Sequence, residues 1–203
     1  MVKRILGTAI QVVEGLGGIV GVRVGTEEPH YVGAALTDRV ELRRYGPRVA
    51  AETTVADPDV QDARSTGFRR LAGYIFGDNH RSTTIAMTAP VAQSPEKIAM
   101  TAPVQQAGSV IRFFMPAKWT LATLPEPDDD AVRLVEVPAE TVAVLRFSGD
   151  RSERAVESRT MELLEVLRDK KIETRGEPVA WFYDPPWTVP FRRRNEVAVP
   201  VGS

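Results

Sequence analysis

Ile85-Ala-Met-Thr-Ala-Pro-Val91 recurs letter for letter as Ile98-Ala-Met-Thr-Ala-Pro-Val104. A chance repeat of this length is very improbable in a chain of ordinary composition. The two copies are too close together to be the units of a solenoid, whose periods run from roughly 20 to 50 residues. Ile85, Met87, Ala89 and Val91 alternate with Ala86, Thr88 and Pro90, a period of two that predicts a strand. Between the copies lies Ala92-Gln-Ser-Pro-Glu-Lys97, a polar stretch whose proline can turn the chain. The spacing therefore predicts two adjacent strands. Either the repeat is a local duplication that packs well, or both strands present Met and Ile side chains toward one cavity, and the segment alone leaves both readings open.

Working outward, the same plan occurs twice. Val40 to Val55 reads as extended chain broken at Tyr45-Gly-Pro47. Asp57-Pro58 then reads as a helix start, with Asp as N-cap and Pro at the first helical position. Val60, Ala63, Gly67, Phe68, Leu71, Ala72, Ile75 and Phe76 line one helical face, and Gly77 ends it. The repeated strands follow, then a strand from Val110 to Met115. In the second half, Ala131 to Phe147 is extended with a break at Pro138-Ala139. Asp150-Arg-Ser-Glu153 has the capping-box pattern, and Val156, Thr160, Leu163, Leu164 and Leu167 form a second helical stripe. A strand near Val179 to Tyr183, a turn at Asp184-Pro-Pro-Trp187 and a last strand from Glu196 to Val201 complete the plan. The expected fold is α+β, an otherwise antiparallel sheet with one main helix per pseudo-symmetric half. No Gly- or Ser-rich linker separates the halves, and the acidic, Pro-rich stretch at 124–130 reads as a surface loop.

Bulk properties remove several classes of function. At 203 residues the chain suits one domain able to stand on its own core. The absence of cysteine excludes disulfides, thiol catalysis and Cys-ligated metal centres. With 26 basic and 27 acidic residues there is no electrostatic case for nucleic-acid binding. No apolar run reaches the ~18 residues of a membrane span. Residues 1–30 are set apart from a domain over 31–203. Ile5, Ala9, Val12, Val13, Leu16 and Val20 recur at helical spacing, so the first 25 residues read as an amphipathic segment able to pack on the domain, a membrane surface or a partner. A cytoplasmic location is expected. Gly15-x-Gly17-x-x-Val20 lacks the third glycine and the preceding strand of a dinucleotide fingerprint.

Three stretches carry a family resemblance. They are Phe68-Arg-Arg-Leu-Ala-Gly-Tyr-Ile-Phe-Gly-Asp-Asn79, the paired Ile-Ala-Met-Thr-Ala-Pro-Val runs, and Tyr183-Asp-Pro-Pro-Trp followed by Pro190-Phe-Arg-Arg-Arg-Asn-Glu-Val197. In this order they resemble the SOUL, or haem-binding protein, family over roughly residues 31 to 201. The resemblance implies a distorted antiparallel barrel of two βαββ-type halves, each with one main helix. It also implies tetrapyrrole binding against the first helix through mainly hydrophobic contact, with Ser65, Phe68 and Ala72 falling at ligand-contact positions. Where relatives can offer basic residues near the propionates, this chain carries Ser65 and Thr188, which leaves Arg69 or Arg70 for that role.

The residues themselves point the same way. A large flat hydrophobic ligand needs broad apolar contact and a few polar groups for its charged edge. The helix offers Phe68, Leu71, Ala72 and Ile75, and the paired strands offer Met87 and Met100, soft and adaptable side chains. Arg69 lies beside the stripe and suits a propionate. His80 is the candidate axial iron ligand, with a solvated loop histidine as the alternative. A pocket without iron ligation would take haem and iron-free porphyrin similarly. No catalytic residue is assigned. No nucleophile elbow or metal-ligand spacing occurs, and Glu196 beside Arg194 reads as a buried structural pair rather than an acid/base. Three functions are compatible with these residues: a carrier or buffer of haem or a related tetrapyrrole, a module for amphipathic small molecules resembling bacterial effector-binding domains, and an enzyme that processes haem.

Overall fold

The computed structural model describes residues 26–57, 59–96, 108–184 and 187–202. The amphipathic segment over 1–25 and the whole second heptapeptide, Met100 included, lie outside the described residues. Among the described residues nine strands and two α-helices follow one another as β1 (Tyr31–Ala35), β2 (Val40–Tyr45), β3 (Arg48–Val55), α1 (Val60–Phe76), β4 (Val91–Glu96), β5 (Gly108–Phe114), β6 (Val132–Val137), β7 (Glu140–Phe147), α2 (Glu153–Asp169), β8 (Val179–Phe182) and β9 (Asn195–Pro200). The strands form one curled antiparallel sheet, a half-barrel, in the order β1-β2-β7-β9-β8-β4-β5-β3-β6. The expected α+β barrel is therefore observed. Its halves are interlocked. The first strand of the first half, β2, pairs with β7 of the second, with Val40 opposite Leu145. The first strand of the second half, β6, pairs with β3 of the first, with Arg48 opposite Val137.

Both helices start two residues later than the sequence suggests. Asp57 accepts from the amide of Asp59 at 2.9 Å and so shapes the turn before α1. Asp59 is the true cap, accepting from the amides of Gln61 and Asp62 at 2.7 and 3.0 Å. In the second half Asp150 accepts from Ser152, and Ser152 caps α2 through the amide of Ala155. In each case the first polar residue of the pair is spent on its neighbour, and the second satisfies the helix. Gly77 ends α1 at φ +129°, a conformation that glycine adopts without a Cβ penalty.

Of the first heptapeptide only its last residue, Val91, lies in a strand. The amide of Ile85 donates to the carbonyl of Ile75 at the end of α1, 2.7 Å away, and that of Ala89 donates to Glu27 at 3.0 Å. The Thr88 hydroxyl donates to the Phe114 carbonyl. Pro90 has no amide to give. The polar donors of the segment thus go to a helix end and to separate backbone segments, and no ladder can form along it. Apart from an isolated parallel bridge between Thr88 and Glu27, pairing begins at Val91 and runs through the residues expected to turn, as β4. Gln93 is buried there because its amide group is satisfied. It accepts from Arg64 at 2.6 Å and donates to the carbonyl of Val60 and to Ser109.

Strand alternation divides the interior into three clusters. Leu71, Tyr74 and Ile75 of α1 pack on Ala51, Ile111 and Phe113. Leu163 and Leu167 of α2 pack on Val40, Ala143, Leu145, Val197 and Val199. Ala50, Phe114, Val144, Trp181, Tyr183 and Ala198 form the third, on the sheet face turned away from the helices. Gly67 allows α1 to approach the sheet closely, since a Cβ there would overlap the Ile111 side chain. Among the described residues no helix is long and apolar enough to cross a membrane.

Candidate functional site

The apolar stripe of α1 splits into an inner row and a flank. Ala63, Gly67, Leu71 and Ile75 face the sheet together with Arg64 and Tyr74, and Leu71 and Ile75 are fully covered. Burial pushes the Tyr74 hydroxyl up to about 12, and the hydroxyl donates to the carbonyl of Pro125 at 2.9 Å. Phe68 is half-buried and meets Phe113 edge-on at 5.3 Å between ring centres. Ala72 is half-buried, whereas Ser65, Arg69 and Phe76 are exposed. Met87 is 36% exposed and Phe76 57%, and the hydrogen bond of Ile85 to Ile75 holds the Met87 segment against the C-terminal end of α1. The outer flank of α1 thus brings together Ser65, Phe68, Ala72 and Phe76, with Met87 near its end. Arg69 lies on the same outward side, where its guanidinium donates to the Thr66 hydroxyl at 3.3 Å. Two further exposed aromatics, Trp187 and Phe191, sit on the β8–β9 connection.

His80 is placed beyond α1, not on this flank. Its Nδ1 is 3.1 Å from Glu126 and its Nε2 is 3.6 Å from Asp128, both on the acidic loop. Its amide donates to the carbonyl of Glu126 at 3.0 Å. The ring is exposed and has a carboxylate within 4 Å of each nitrogen. Among the described residues no group of three or more His, Asp and Glu is arranged to hold a metal ion.

A cavity of about 530 Å³ lies between the helices, over β4, β5 and β8. Val60 and Arg64 of α1, Val156, Thr160 and Met161 of α2, and Val179 and Ala180 of β8 line it. Arg64 stacks on Phe182 at 4.0 Å and is buried. Burial, with the neighbouring charge of Arg151 adding to it, lowers its guanidinium to about 10, so it stays charged at neutral pH. Sequence reasoning missed Arg64. The signal was there as a charged residue between Ala63 and Gly67, two members of the inner row, where only a satisfied or ligand-facing cation belongs.

On the opposite face of the sheet the buried pair expected at Glu196 is present and larger than a pair. Arg43 grips Glu196 through both terminal nitrogens at 2.7 and 3.1 Å, Arg194 donates at 2.9 Å and the Tyr183 hydroxyl at 2.6 Å. Burial opposes ionisation of Glu196, but the hydrogen bonds and charges of Arg43 and Arg194 outweigh it and hold the carboxyl below its usual range. Burial and the Glu196 charge push the Tyr183 hydroxyl well up. This arrangement is a closed clamp joining β2 to β9, with no group poised for proton transfer at neutral pH.

A curled antiparallel half-barrel carrying two helices, one of them with an exposed apolar flank, places the described residues in the class of α+β barrels. The chain belongs to the SOUL heme-binding protein family, whose family model matches residues 26–200. That match starts five residues before Tyr31 and takes in Glu27 and Glu28, which are tied to the domain through Ala89, Ala117 and Arg194. Over 160 residues the chain is 31% identical to mouse Heme-binding protein 2, covering 77% of this chain and 75% of that protein. It is 30% identical to human Heme-binding protein 2 over 129 residues, 64% of this chain and 62% of that one. Among solved structures the EcmrR C-terminal domain superposes with a TM-score of 0.57 at 12% identity, over 85% of this chain and 98% of that chain. At that identity the likeness is one of fold.

Proposed function

We propose that this protein binds haem or a closely related tetrapyrrole on the outer flank of α1 and acts as a carrier or buffer, without catalysing a reaction. The observation that carries this reading is the exposed apolar flank of α1 in a chain of the SOUL heme-binding protein family. Phe68, Ala72, Phe76 and Met87 would lie against the macrocycle, and Ser65 at its edge. Arg69, exposed on that side, would pair with a propionate. Leu71 and Ile75 would support the flank from behind, since both are fully covered. Met100, the other methionine expected at the site, lies outside the described residues. Bound haem brings an iron whose chemistry depends on its axial ligands. The carboxylates on both sides of His80 favour binding without strong ligation by that residue.

The test is a paired titration of the protein with ferric haem and with iron-free protoporphyrin, followed by Soret absorbance and tryptophan quenching. Similar affinity for the two is the expected result, together with a loss of at least tenfold in Ala72→Glu. A much tighter complex with haem, lost in His80→Ala, would replace hydrophobic binding with iron ligation. No response to either ligand at micromolar protein would overturn the reading.

A further inference from the structure

We propose that the cleft between α1 and α2 is a second binding site, for a small amphipathic monocarboxylate such as a medium-chain fatty acid anion, separate from the flank of α1. The cleft, about 530 Å³, falls in the range of roughly 300–1,000 Å³ usual for small-molecule sites. Val60, Val156, Met161, Val179 and Ala180 give it apolar walls. Arg64 gives it one cationic group, and that residue is only 8% exposed.

The charge of Arg64 is what singles the cleft out. Its Nε donates to the side-chain oxygen of Gln93 at 2.6 Å, and Nη1 makes long contacts of 3.4 Å to the side chain of Gln61 and the carbonyl of Arg151. All three acceptors are neutral, and the charge that acts on it is that of Arg151, of like sign. Arg43, likewise buried, is answered by the carboxylate of Glu196, and the half-buried Arg48 by that of Glu140. Among the described residues no carboxylate pairs with Arg64. A buried cation without a counter-charge is costly, and an anion entering the cleft would relieve that cost.

The remaining lining residues narrow the ligand. Asp57, Glu153 and Glu157 also border the cleft, and among the described residues none of them forms an ion pair with Arg64. They disfavour a second negative charge, so a ligand with one carboxylate directed at Arg64 fits better than a diacid. From α2, Val156 and Met161 give the cleft apolar surface, and the exposed Glu153 and Glu157 border it at the start of the helix. The arrangement suits a charged head at Arg64 and an alkyl tail along Val156, Met161, Val179 and Ala180.

The experiment is calorimetric titration of the full chain with decanoate, kept below its micelle-forming concentration, and with decylamine. One decanoate per chain is expected, with decylamine at least tenfold weaker. Arg64→Met keeps the bulk over Phe182 and removes the charge; it should weaken decanoate at least tenfold and leave the haem titration unchanged. Thr160→Trp, which fills the cleft from α2, should abolish decanoate binding, and it decides the matter if Arg64→Met does not fold. Equal binding of acid and amine, or undiminished decanoate binding in either variant, overturns the site. If haem and decanoate compete and Arg64→Met loses both, the cleft is the haem site and the two-site proposal falls. Decanoate binding through Arg64 in a chain that takes no haem would leave this site standing and remove the tetrapyrrole reading.

Discussion

The two helices have the same length, 17 residues, yet they rest on the sheet differently. α1 buries Ala63, Arg64, Gly67, Leu71, Tyr74 and Ile75, whereas α2 buries only Leu163 and Leu167. Their frame is nevertheless shared. The same number of residues separates Arg48 from Glu140 at the starts of β3 and β7, Leu71 from Leu163, and Ile75 from Leu167. β3 and β7 also bury nearly the same positions. In that register Gly67 corresponds to Arg159, Arg64 to Val156 and Phe68 to Thr160. A glycine brings α1 down onto β5, while at the matching place α2 carries a partly exposed arginine bonded to Glu162 at 2.8 Å. The shared positions keep the scaffold, and the unshared ones concentrate the candidate binding residues on α1.

The comparison can be broken first where the halves join. Glu196→Ala should cost about 3–5 kcal/mol in urea unfolding, because it leaves Arg43 and Arg194 without their common carboxylate. The clamp also sets a pH dependence. Since the Glu196 carboxyl is held below its usual range, its contribution is complete above the unfolded carboxylate value of about 4.3 and is lost as pH falls through the lower folded value. Glu196→Gln should therefore flatten part of the acid limb of a stability–pH curve.

Leu71→Ala should cost about 2–5 kcal/mol, and Leu163→Ala a similar amount. A cost under about 1 kcal/mol at Leu163 would show that the shared register has no energetic counterpart. Gly67→Ala should cost about 1–3 kcal/mol through overpacking against Ile111, while Arg159→Ala stays within about 0.5 kcal/mol. Smallest of all is His80→Ala, expected to change stability by less than about 0.5 kcal/mol and haem affinity by less than about twofold. The melting curve and the Soret titration check it.

Periodicity made the two-part plan legible, because helix stripes and strand alternation both report which face meets the core. The break at Tyr45-Gly-Pro47 and the helix stop at Gly77 were readable from local chemistry. The failures have a common cause in long-range hydrogen bonding. The alternation of Ile85–Val91 is that of a strand, but its amides are taken by Ile75 and Glu27, and neither partner is visible from the segment itself. The polar run of β4 reads as a turn until Arg64 arrives from another element to satisfy Gln93. Around the candidate site, spacing placed Phe68, Ala72 and Phe76 on one helix. It did not tell inner row from flank at Leu71 and Ile75, since both surfaces are apolar. The cleft was hidden for a further reason: its walls come from both halves, and no stretch of either contains it.

The exchange of β2 and β6 between the halves bears on how such a chain can arise. Each half hands its first strand to the other, so neither is complete as a separate body. A single half, made as a short polypeptide, would reach the same sheet by trading that strand with an identical copy about a two-fold axis. Joining the two copies end to end by one surface loop changes nothing in the pairing. What it adds is the freedom for each copy to drift alone, so that one can specialise while the other goes on holding the pair together.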